Sequence, residues 1–313
     1  MDALVNLLDG PRARGAFLLR AVLDPPWSLR IQDRAPLTLM ALVRGSAWAV
    51  PDAGDPVRLE PGDIAIARGP DAYTVADDPG TPWQVVVHPG QGCSTPSGEP
   101  LRDLTDVGVR TWGTDLGASM NMLIGTYQVT GEISSRLLAA LPALVVVRQG
   151  SLDSPLVELL AAEIGKGSPG QEAVLDRLLD LLLIASLRAW FASPDAQAPA
   201  WYQAHRDPVV GRALQLLHHD PAFPWTVESL ATRSGVSRAG LARRFTDLVG
   251  EPPMKYLTGW RLAMAADLLR ESDATIASVA HQVGYGSAFA LSNAFKRQFD
   301  VSPQEHRRAE AAV

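Results

Sequence analysis

A short stretch decides the C-terminal fold: residues 227–245 read VESLATRSGVSRAGLARRF. Ala231 lies inside a first apolar-patterned helix, and Gly235 follows it by four residues. A small side chain lets a second helix cross closely, and glycine adopts the backbone of a tight turn. Ser237 then caps a second helix. The inner face of that helix carries Leu241 and Phe245. The stretch therefore predicts a helix-turn-helix, a pattern short enough to arise often by chance.

The same pattern returns about fifty residues further along the chain. Residues 276–297 read IASVAHQVGYGSAFALSNAFKR, and Ala280 and Gly284 repeat the four-residue step. Ser287 again precedes a helix, although this second turn is one residue longer. The inner face now carries Leu291 and Phe295. A repeat of this kind is far more specific than one occurrence, so we expect two helix-turn-helix units.

The two units resemble a known DNA-binding domain. Residues 252–271 are patterned as one helix joining them, and this arrangement closely resembles the AraC/XylS transcription regulators. The resemblance covers residues 207–308 and includes EPPMKYL at 251–257 and FDVSPQEHRR at 299–308. Asp300 and His306 depart from it, because the family usually has Gly and Tyr there. The resemblance implies an all-α domain that binds double-stranded DNA in the major groove.

The resemblance also implies which residues meet DNA. The second helix of each unit enters the major groove with its outward N-terminal residues facing the bases. Arg243 suits guanine, Asn293 suits adenine, and Phe289 either meets a thymine methyl or packs in the core. The expected base-reading residues are Arg238, Ala239, Ala242, Arg243, Ser287, Ala288, Phe289, Ser292 and Asn293. The expected phosphate contacts are Arg244, Lys296 and Arg297.

The N-terminal half is organised differently, as short apolar runs between turn residues. Glycine and proline supply 28 of its first 131 residues. Such runs predict an antiparallel sandwich or barrel. The run LEPGD at 59–63 contributes to a resemblance to the cupins, jelly-roll barrels with an interior cavity, over residues 1–147. The predicted strands are Ser28–Ile31, Leu37–Val43, Ala47–Val50, Ile64–Ala67, Trp83–His88 and Leu123–Val129.

The metal ligands of catalytic cupins have no counterparts in this sequence. Those enzymes use clustered His and one Glu, which suit iron, manganese or nickel. No His-x-His occurs here, and Met40, Tyr73 and Ile124 stand where related regulators carry His, His and Cys. We therefore expect a barrel with no metal, no other cofactor and no catalytic residues. The alternative is a metal-dependent cupin enzyme with an accessory DNA-binding domain.

Aromatic residues and one cation suggest that the barrel binds a small molecule. Small-molecule pockets combine apolar walls with a few polar anchors. The candidates are Trp27, Arg30, Met40, Trp48 and Tyr73. Met40 and Trp48 also fit simple core positions, and Arg30 could instead point to water.

His88 and the single cysteine, Cys93, raise two further interpretations. They could form half a metal site, although two ligands do not close a zinc site. Cys93 could also sense oxidants through a mixed or intermolecular disulfide. The favoured interpretation is an ordinary turn with a partly buried thiol.

The middle of the chain is helical. Residues 154–164 and 171–192 are apolar at helical spacing. In the second run a wide leucine face suggests pairing across a dimer axis, and packing within the same chain is the alternative. That face comprises Leu175, Leu178, Leu179, Leu182, Leu183 and Leu187. The predicted organisation is a cupin-like sensor at 1–150, a helical dimerisation segment at 151–192, a linker at 193–206 and a DNA-binding domain at 207–308.

Charge follows this division. The whole chain of 313 residues carries a net charge of -6, which alone argues against a nucleic-acid binder. From residue 205 onward the net charge is +2, and the remainder holds -8.

We find no export signal or membrane span and expect a cytoplasmic homodimer. The expected partners are double-stranded DNA, an unidentified small-molecule effector and RNA polymerase. A ligand-independent architectural DNA binder is a third possibility.

Overall fold

The computed structural model describes residues 17–101, 106–127, 138–152, 154–193 and 198–310. These residues divide into two compact units, the first ending at residue 193 and the second beginning at residue 198.

Two β-sheets build the N-terminal unit. One has the strand order β10-β11-β1-β12-β3-β6-β13 and the other β5-β4-β7-β2-β8-β9, with mainly antiparallel pairing. This double-sheet arrangement confirms the predicted cupin-type architecture. The strands are β1 (Phe17–Leu23), β2 (Ser28–Ile31), β3 (Leu37–Arg44), β4 (Ala47–Pro51), β5 (Val57–Leu59), β6 (Ile64–Arg68), β7 (Tyr73–Ala76), β8 (Val85–Val87), β9 (Cys93–Ser94), β10 (Asp106–Gly108), β11 (Thr111–Gly113), β12 (Met120–Tyr127) and β13 (Leu144–Val147).

The predicted strands agree with the observed ones to within a few residues. The run expected at Trp83–His88 is shorter, because only Val85–Val87 forms a strand. The run expected at Leu123–Val129 begins earlier, at Met120, and residues 128 and 129 lie outside the described residues. The strands that were not predicted are β1, β5, β7, β9, β10, β11 and β13.

The LEPGD turn is held by a buried carboxylate. Asp63 is 3% exposed and accepts hydrogen bonds from the amides of Glu60 at 3.0 Å and Gln149 at 2.8 Å. It also forms an ion pair with Arg148 at 2.7 Å. A Cβ at Gly62, where φ is +89°, would meet the Gln149 side chain at 2.7 Å. The motif therefore joins the β5–β6 turn to the residues that follow β13.

Two helices, α1 (Leu156–Glu163) and α2 (Gln171–Ala192), follow the strands and belong to the same unit. The observed α2 has the predicted bounds. Five of the six leucines of the predicted dimer face are already buried within the chain. Leu175, Leu179, Leu182, Leu183 and Leu187 are each at most 2% exposed, whereas Leu178 is partly exposed. The Tyr127 hydroxyl donates to the Leu179 carbonyl at 2.9 Å. The leucine face thus packs on the β-sandwich, so its assignment to a dimer axis was wrong.

The C-terminal unit is helical throughout its described secondary structure. Its helices are α3 (Ala200–Ala204), α4 (Val210–His219), α5 (Val227–Arg233), α6 (Arg238–Val249), α7 (Pro253–Glu271), α8 (Ile276–Gln282), α9 (Ala288–Phe299) and α10 (Pro303–Glu310). Helix pairs α5–α6 and α8–α9 are the two predicted helix-turn-helix units. The long α7 joins them.

Helix α7 contributes to two separate cores. Tyr256 and Leu257, near its start, pack in the core of the first helix-turn-helix. Leu262 and Leu269 pack in the core of the second. Ala204 of α3 is buried in the first core. The C-terminal unit therefore begins before residue 207, inside the stretch predicted as a linker at 193–206.

Both turns have the geometry that the motif requires. Gly235 and Gly284 have φ of +73° and +84°, the left-handed region that favours glycine. The side chains of Ser237 and Ser287 accept hydrogen bonds from the amides of Gly240 and Ala290, as N-caps do. The predicted caps are confirmed.

The two departures from the family pattern are compatible with this fold. Asp300 ends α9 with φ of +60°, a conformation that aspartate tolerates better than most residues. The His306 ring lies 5.4 Å from the Phe295 ring and 6.2 Å from the Phe299 ring, measured between centroids. A histidine at this position therefore still supplies an aromatic contact.

Candidate DNA-binding surface and ligand cavity

The residues expected to read bases lie at the N-terminal parts of α6 and α9. Leu241, Phe245, Leu291 and Phe295 are buried, which turns the opposite faces of the two helices outward. Among the predicted contacts, Arg238, Ala239, Arg243, Arg244, Ser287, Phe289, Asn293, Lys296 and Arg297 are exposed, and Ala242, Ala288 and Ser292 are partly exposed. These residues are therefore accessible to a partner molecule.

Phe289 does not belong to the hydrophobic core. Its side chain is 76% exposed, the largest value among the described large apolar residues. Two candidate explanations, a core position and a DNA contact, were open from sequence. The structure excludes the core position and leaves a large apolar side chain at the start of the second reading helix.

Arg244 already has a protein partner. Its Nε and Nη2 atoms donate to Asp207 Oδ2 at 2.8 and 2.5 Å. Asp207 Oδ1 also accepts from the Val209 and Val210 amides, each at 2.9 Å. Burial opposes ionisation of Asp207, but the hydrogen bonds from Val210 and Arg244 outweigh it and lower the pKa of this carboxyl. Arg244 thus joins α6 to the start of α4, a role that the sequence pattern did not indicate.

A cavity of about 160 Å³ lies inside the N-terminal unit. Met40 and Tyr73, two of the five predicted ligand contacts, line it. Its other apolar walls include Leu29, Ile31, Trp112, Met122 and Ile124, and its polar lining residues are Asp33, Thr38, Tyr73, Gln91, Cys93 and Thr126.

The other three predicted ligand contacts lie elsewhere. Leu29 and Ile31 line the cavity, so the alternation of β2 turns Arg30 to the opposite face. Arg30 donates to Asp52 Oδ1 and Oδ2 at 2.5 and 2.7 Å and lies 5.0 Å from the centroid of the Trp83 ring. These hydrogen bonds lower the pKa of Asp52. Arg30 is therefore not the charged anchor of the cavity.

The two tryptophans lie outside the described lining of the cavity. Trp27 is 4% exposed and belongs to the core cluster of the unit. Trp48 alternates on β4 with Ala47 and Ala49, both buried in that cluster, and so faces the other way. Neither residue lines the cavity.

Sequence reasoning missed Asp33, the one acid among the described residues that line the cavity. Asp33 follows the last residue of β2 by two positions, where strand alternation no longer predicts orientation. Burial raises the pKa of the Tyr73 phenol, a hydrogen bond with Thr38 opposes this, and the nearby Asp33 carboxylate adds to it. Asp33, Thr38 and Tyr73 therefore form one polar group within the cavity lining.

Cys93 and His88 contact different parts of the structure. Cys93 lines the cavity, and burial raises the pKa of its thiol, which disfavours the reactive thiolate. His88 Nε2 lies 2.8 Å from Ser94 Oγ.

Within the described ranges no three His, Cys, Asp or Glu side chains are grouped as metal ligands would be. No helix in those ranges is both long and apolar enough to cross a membrane.

Comparison with known proteins identifies both units. A cupin family model matches residues 2–192, and a helix-turn-helix domain model matches residues 230–309. An AraC-like transcription regulator of Streptomyces lividans is 31% identical over 313 residues, 98% of each chain. The regulator AlkR of Acinetobacter baylyi is 30% identical over 319 residues, 98% of this chain and 99% of its own. The DNA-binding domain of AdpA, solved in complex with a target DNA, is 36% identical, covers 34% of this chain and 95% of its own, and has a TM-score of 0.32.

The fold and the exposed helix faces define a DNA-binding transcription regulator built from a cupin domain and a double helix-turn-helix. The chain belongs to the AraC-type transcription regulators, with an N-terminal cupin domain. Its near full-length relatives are transcription regulators, and the alternative of a cupin enzyme with an accessory DNA-binding domain finds no support among them.

Proposed function

We propose that this regulator is controlled by a small molecule bound in its cupin cavity, and that it acts as a cytoplasmic homodimer on RNA polymerase. The cavity is the observation that carries the regulatory part. A small barrel is either filled by its own side chains or holds one small ligand, and a barrel with a purely structural role is expected to be filled. The cavity therefore argues against a ligand-independent architectural DNA binder.

The proposed division of labour follows the chain. Residues 1–150 sense the effector, and 151–192 carry the dimer contact. The unit that binds DNA begins with α3, inside 193–206, and extends to residue 308. A ligand that binds one arrangement of the dimer more tightly shifts the population toward that arrangement. The DNA affinity of the full-length protein, measured with and without effector candidates that raise its melting temperature, tests this proposal. A cavity ligand that leaves DNA affinity unchanged would contradict it.

We further propose that α6 and α9 read successive major-groove faces, about 34 Å apart. Arg243 would bind guanine, Asn293 adenine and the exposed Phe289 a thymine methyl. Lys296 and Arg297 would hold phosphates, whereas Arg244 reaches a phosphate only if it leaves or shares Asp207. The exposure of these residues supports the assignment.

Two substitutions separate base reading from phosphate binding. Arg243→Ala should lose about 1–3 kcal/mol of discrimination at one base position, because a bidentate base contact carries that much specificity. Lys296→Ala should instead weaken binding to all sequences and reduce the slope of log affinity against log salt by about 1. Footprinting and salt titrations of both variants provide the measurement. An Arg243→Ala footprint and base preference identical to those of the parent would show that α6 is misplaced on DNA.

A different face of α2 is available for the proposed dimer. Val174 and Leu181 are 45% and 51% exposed, and Leu178 and Ala185 are partly exposed. These four residues recur at alternate steps of four and three, the spacing of a coiled-coil seam. We propose that a second copy of this chain covers this seam.

A further inference from the structure

The size of the cavity limits what it can hold. A cavity of about 150 Å³ in a protein core is large enough to bind benzene. The present cavity, at about 160 Å³, therefore accommodates one six-membered ring with a few additional atoms. Larger ligands would have to displace side chains.

The walls suit a flat, apolar group. Of the fifteen described residues that line the cavity, nine are apolar, including Trp112, Met40 and Met122. Aromatic rings contact other rings favourably, and methionine sulfur adapts to irregular ring edges. An apolar ring would bury its surface against these side chains.

The charge of the lining is one-sided. Asp33 is its acid, and no Arg, Lys or His occurs among the described lining residues. Asp33 Oδ1 accepts from the Ala35 amide at 3.1 Å, and Oδ2 accepts from Gln91 Nε2 at 3.3 Å. A carboxylate has about four acceptor sites, so Asp33 can still accept from a ligand. A ligand anion would be placed beside a like charge with no cation to pair with it, which is unfavourable.

We propose that the effector is a small, single-ring molecule whose hydrogen-bond donor, a protonated amine or a hydroxyl, reaches Asp33, and that anionic analogues are excluded. This inference rests on the proposed function, because it assigns the chemistry of the effector site. Gln91, at the other side of the Asp33 carboxylate, positions it.

A series of three compounds of similar size tests the charge rule. Benzylamine, benzyl alcohol and benzoate each carry one polar substituent on a benzene ring and differ mainly in its charge, and calorimetric titration of the full-length protein gives their dissociation constants. We expect benzylamine and benzyl alcohol to bind at least tenfold more tightly than benzoate. Benzoate binding equal to or tighter than that of benzylamine would overturn the proposal, as would the failure of all three to bind at millimolar concentration.

A matched pair of variants tests the anchor. Asp33→Asn keeps an acceptor for the Ala35 amide and removes the charge. It should therefore weaken the binding of benzylamine at least tenfold and the binding of benzyl alcohol much less. Asp55→Asn, an exposed position of the same unit, should change neither. Unchanged benzylamine affinity in Asp33→Asn would show that the donor binds elsewhere.

Operator affinity measured in the same samples separates this inference from the proposed function. If benzoate is preferred while DNA binding is intact, the effector class is wrong and the DNA-binding conclusion stands. If benzylamine binds through Asp33 but never changes operator affinity, the cavity chemistry is correct and ligand control of DNA binding is wrong.

Discussion

His218 lies in the interior of the DNA-binding unit, where it is 2% exposed. Its Nε2 atom is 2.8 Å from the Tyr256 hydroxyl, and its ring centroid is 4.5 Å from that of Trp260. Burial, with a smaller contribution from the nearby His205, lowers the pKa of His218 to about 3. The imidazole is therefore neutral in the folded protein at neutral pH.

This lowered pKa predicts a loss of stability in mild acid. The unfolded chain protonates His218 near pH 6.5, whereas the folded chain resists to about pH 3. The contribution of neutral His218 to the free energy of unfolding is thus complete above pH 6.5 and is lost as the pH falls toward 3. These two values predict a loss of about 2 kcal/mol in the free energy of unfolding between pH 8 and pH 5. Urea unfolding followed by helical circular dichroism measures it.

A substitution separates His218 from other titrating groups. His218→Gln can still hydrogen-bond to the Tyr256 hydroxyl but does not titrate. We expect its stability to fall less between the two pH values than that of the parent, by about the same 2 kcal/mol. An equal fall in both proteins would show that His218 is accessible to protons in the folded state.

Individual side chains show where sequence patterns stop being informative. Alternation in β2 correctly separated Leu29 from Arg30, but it could not say which face was inside. Arg30 finds its partner just after β4, in Asp52, a long-range contact with no local signature. Asp33 lies beyond the strand end, where the pattern no longer applies. The motif residues of the two turns were predictable because glycine and serine have local roles there.

At the scale of elements, the two turns of the repeated motif differ in their surroundings. An added Cβ at Gly235 would meet nothing within 4 Å, whereas one at Gly284 would lie 2.7 Å from the Ala222 Cα and carbonyl oxygen. Both positions have a positive φ that L-residues disfavour. The first turn is therefore open, and the second is packed against the chain ahead of α5.

This difference predicts unequal costs for the same substitution. Gly235→Ala should destabilise the DNA-binding unit by about 1–2 kcal/mol, the penalty of left-handed backbone. Gly284→Ala should cost roughly 2–4 kcal/mol, because overpacking against backbone adds to that penalty. Urea unfolding of the two full-length variants compares them directly. Equal losses would mean that the chain near Ala222 moves away freely.

Helix α2 shows what periodicity can establish about an element. The spacing of apolar residues predicted its bounds correctly, and its buried face correctly except for Leu178, which is partly exposed. It could not identify the surface that buries this face, because a β-sandwich and a second helix demand the same leucine pattern. The residues that remain exposed, Val174 and Leu181, stood out only once the packing was known.

At the scale of the whole molecule, the charge is divided between two units with different tasks. The net charge of -6 conceals +2 from residue 205 onward. Such a weakly basic unit gains little affinity from phosphates alone, because each neutralised phosphate contributes through counterion release. We expect specific base contacts and, in the proposed dimer, the linkage of two copies to supply the rest, since joining two binding units raises avidity without new contacts. Dimerisation is therefore central to how we expect this regulator to bind its operator.

The exposed seam of α2 gives this expectation a test. Val174→Glu combined with Leu181→Glu should leave each folded copy intact, because both side chains already face solvent. It should raise the dimer dissociation constant at least about tenfold, since burying one such side chain contributes roughly 1.5–3 kcal/mol. Sedimentation equilibrium measures that constant. Affinity for a two-site operator should fall with it, while affinity for a single site stays unchanged. Leu116→Glu, at a residue of the same unit that is 57% exposed, is the control. A double variant that remains as dimeric as this control would place the dimer contact elsewhere.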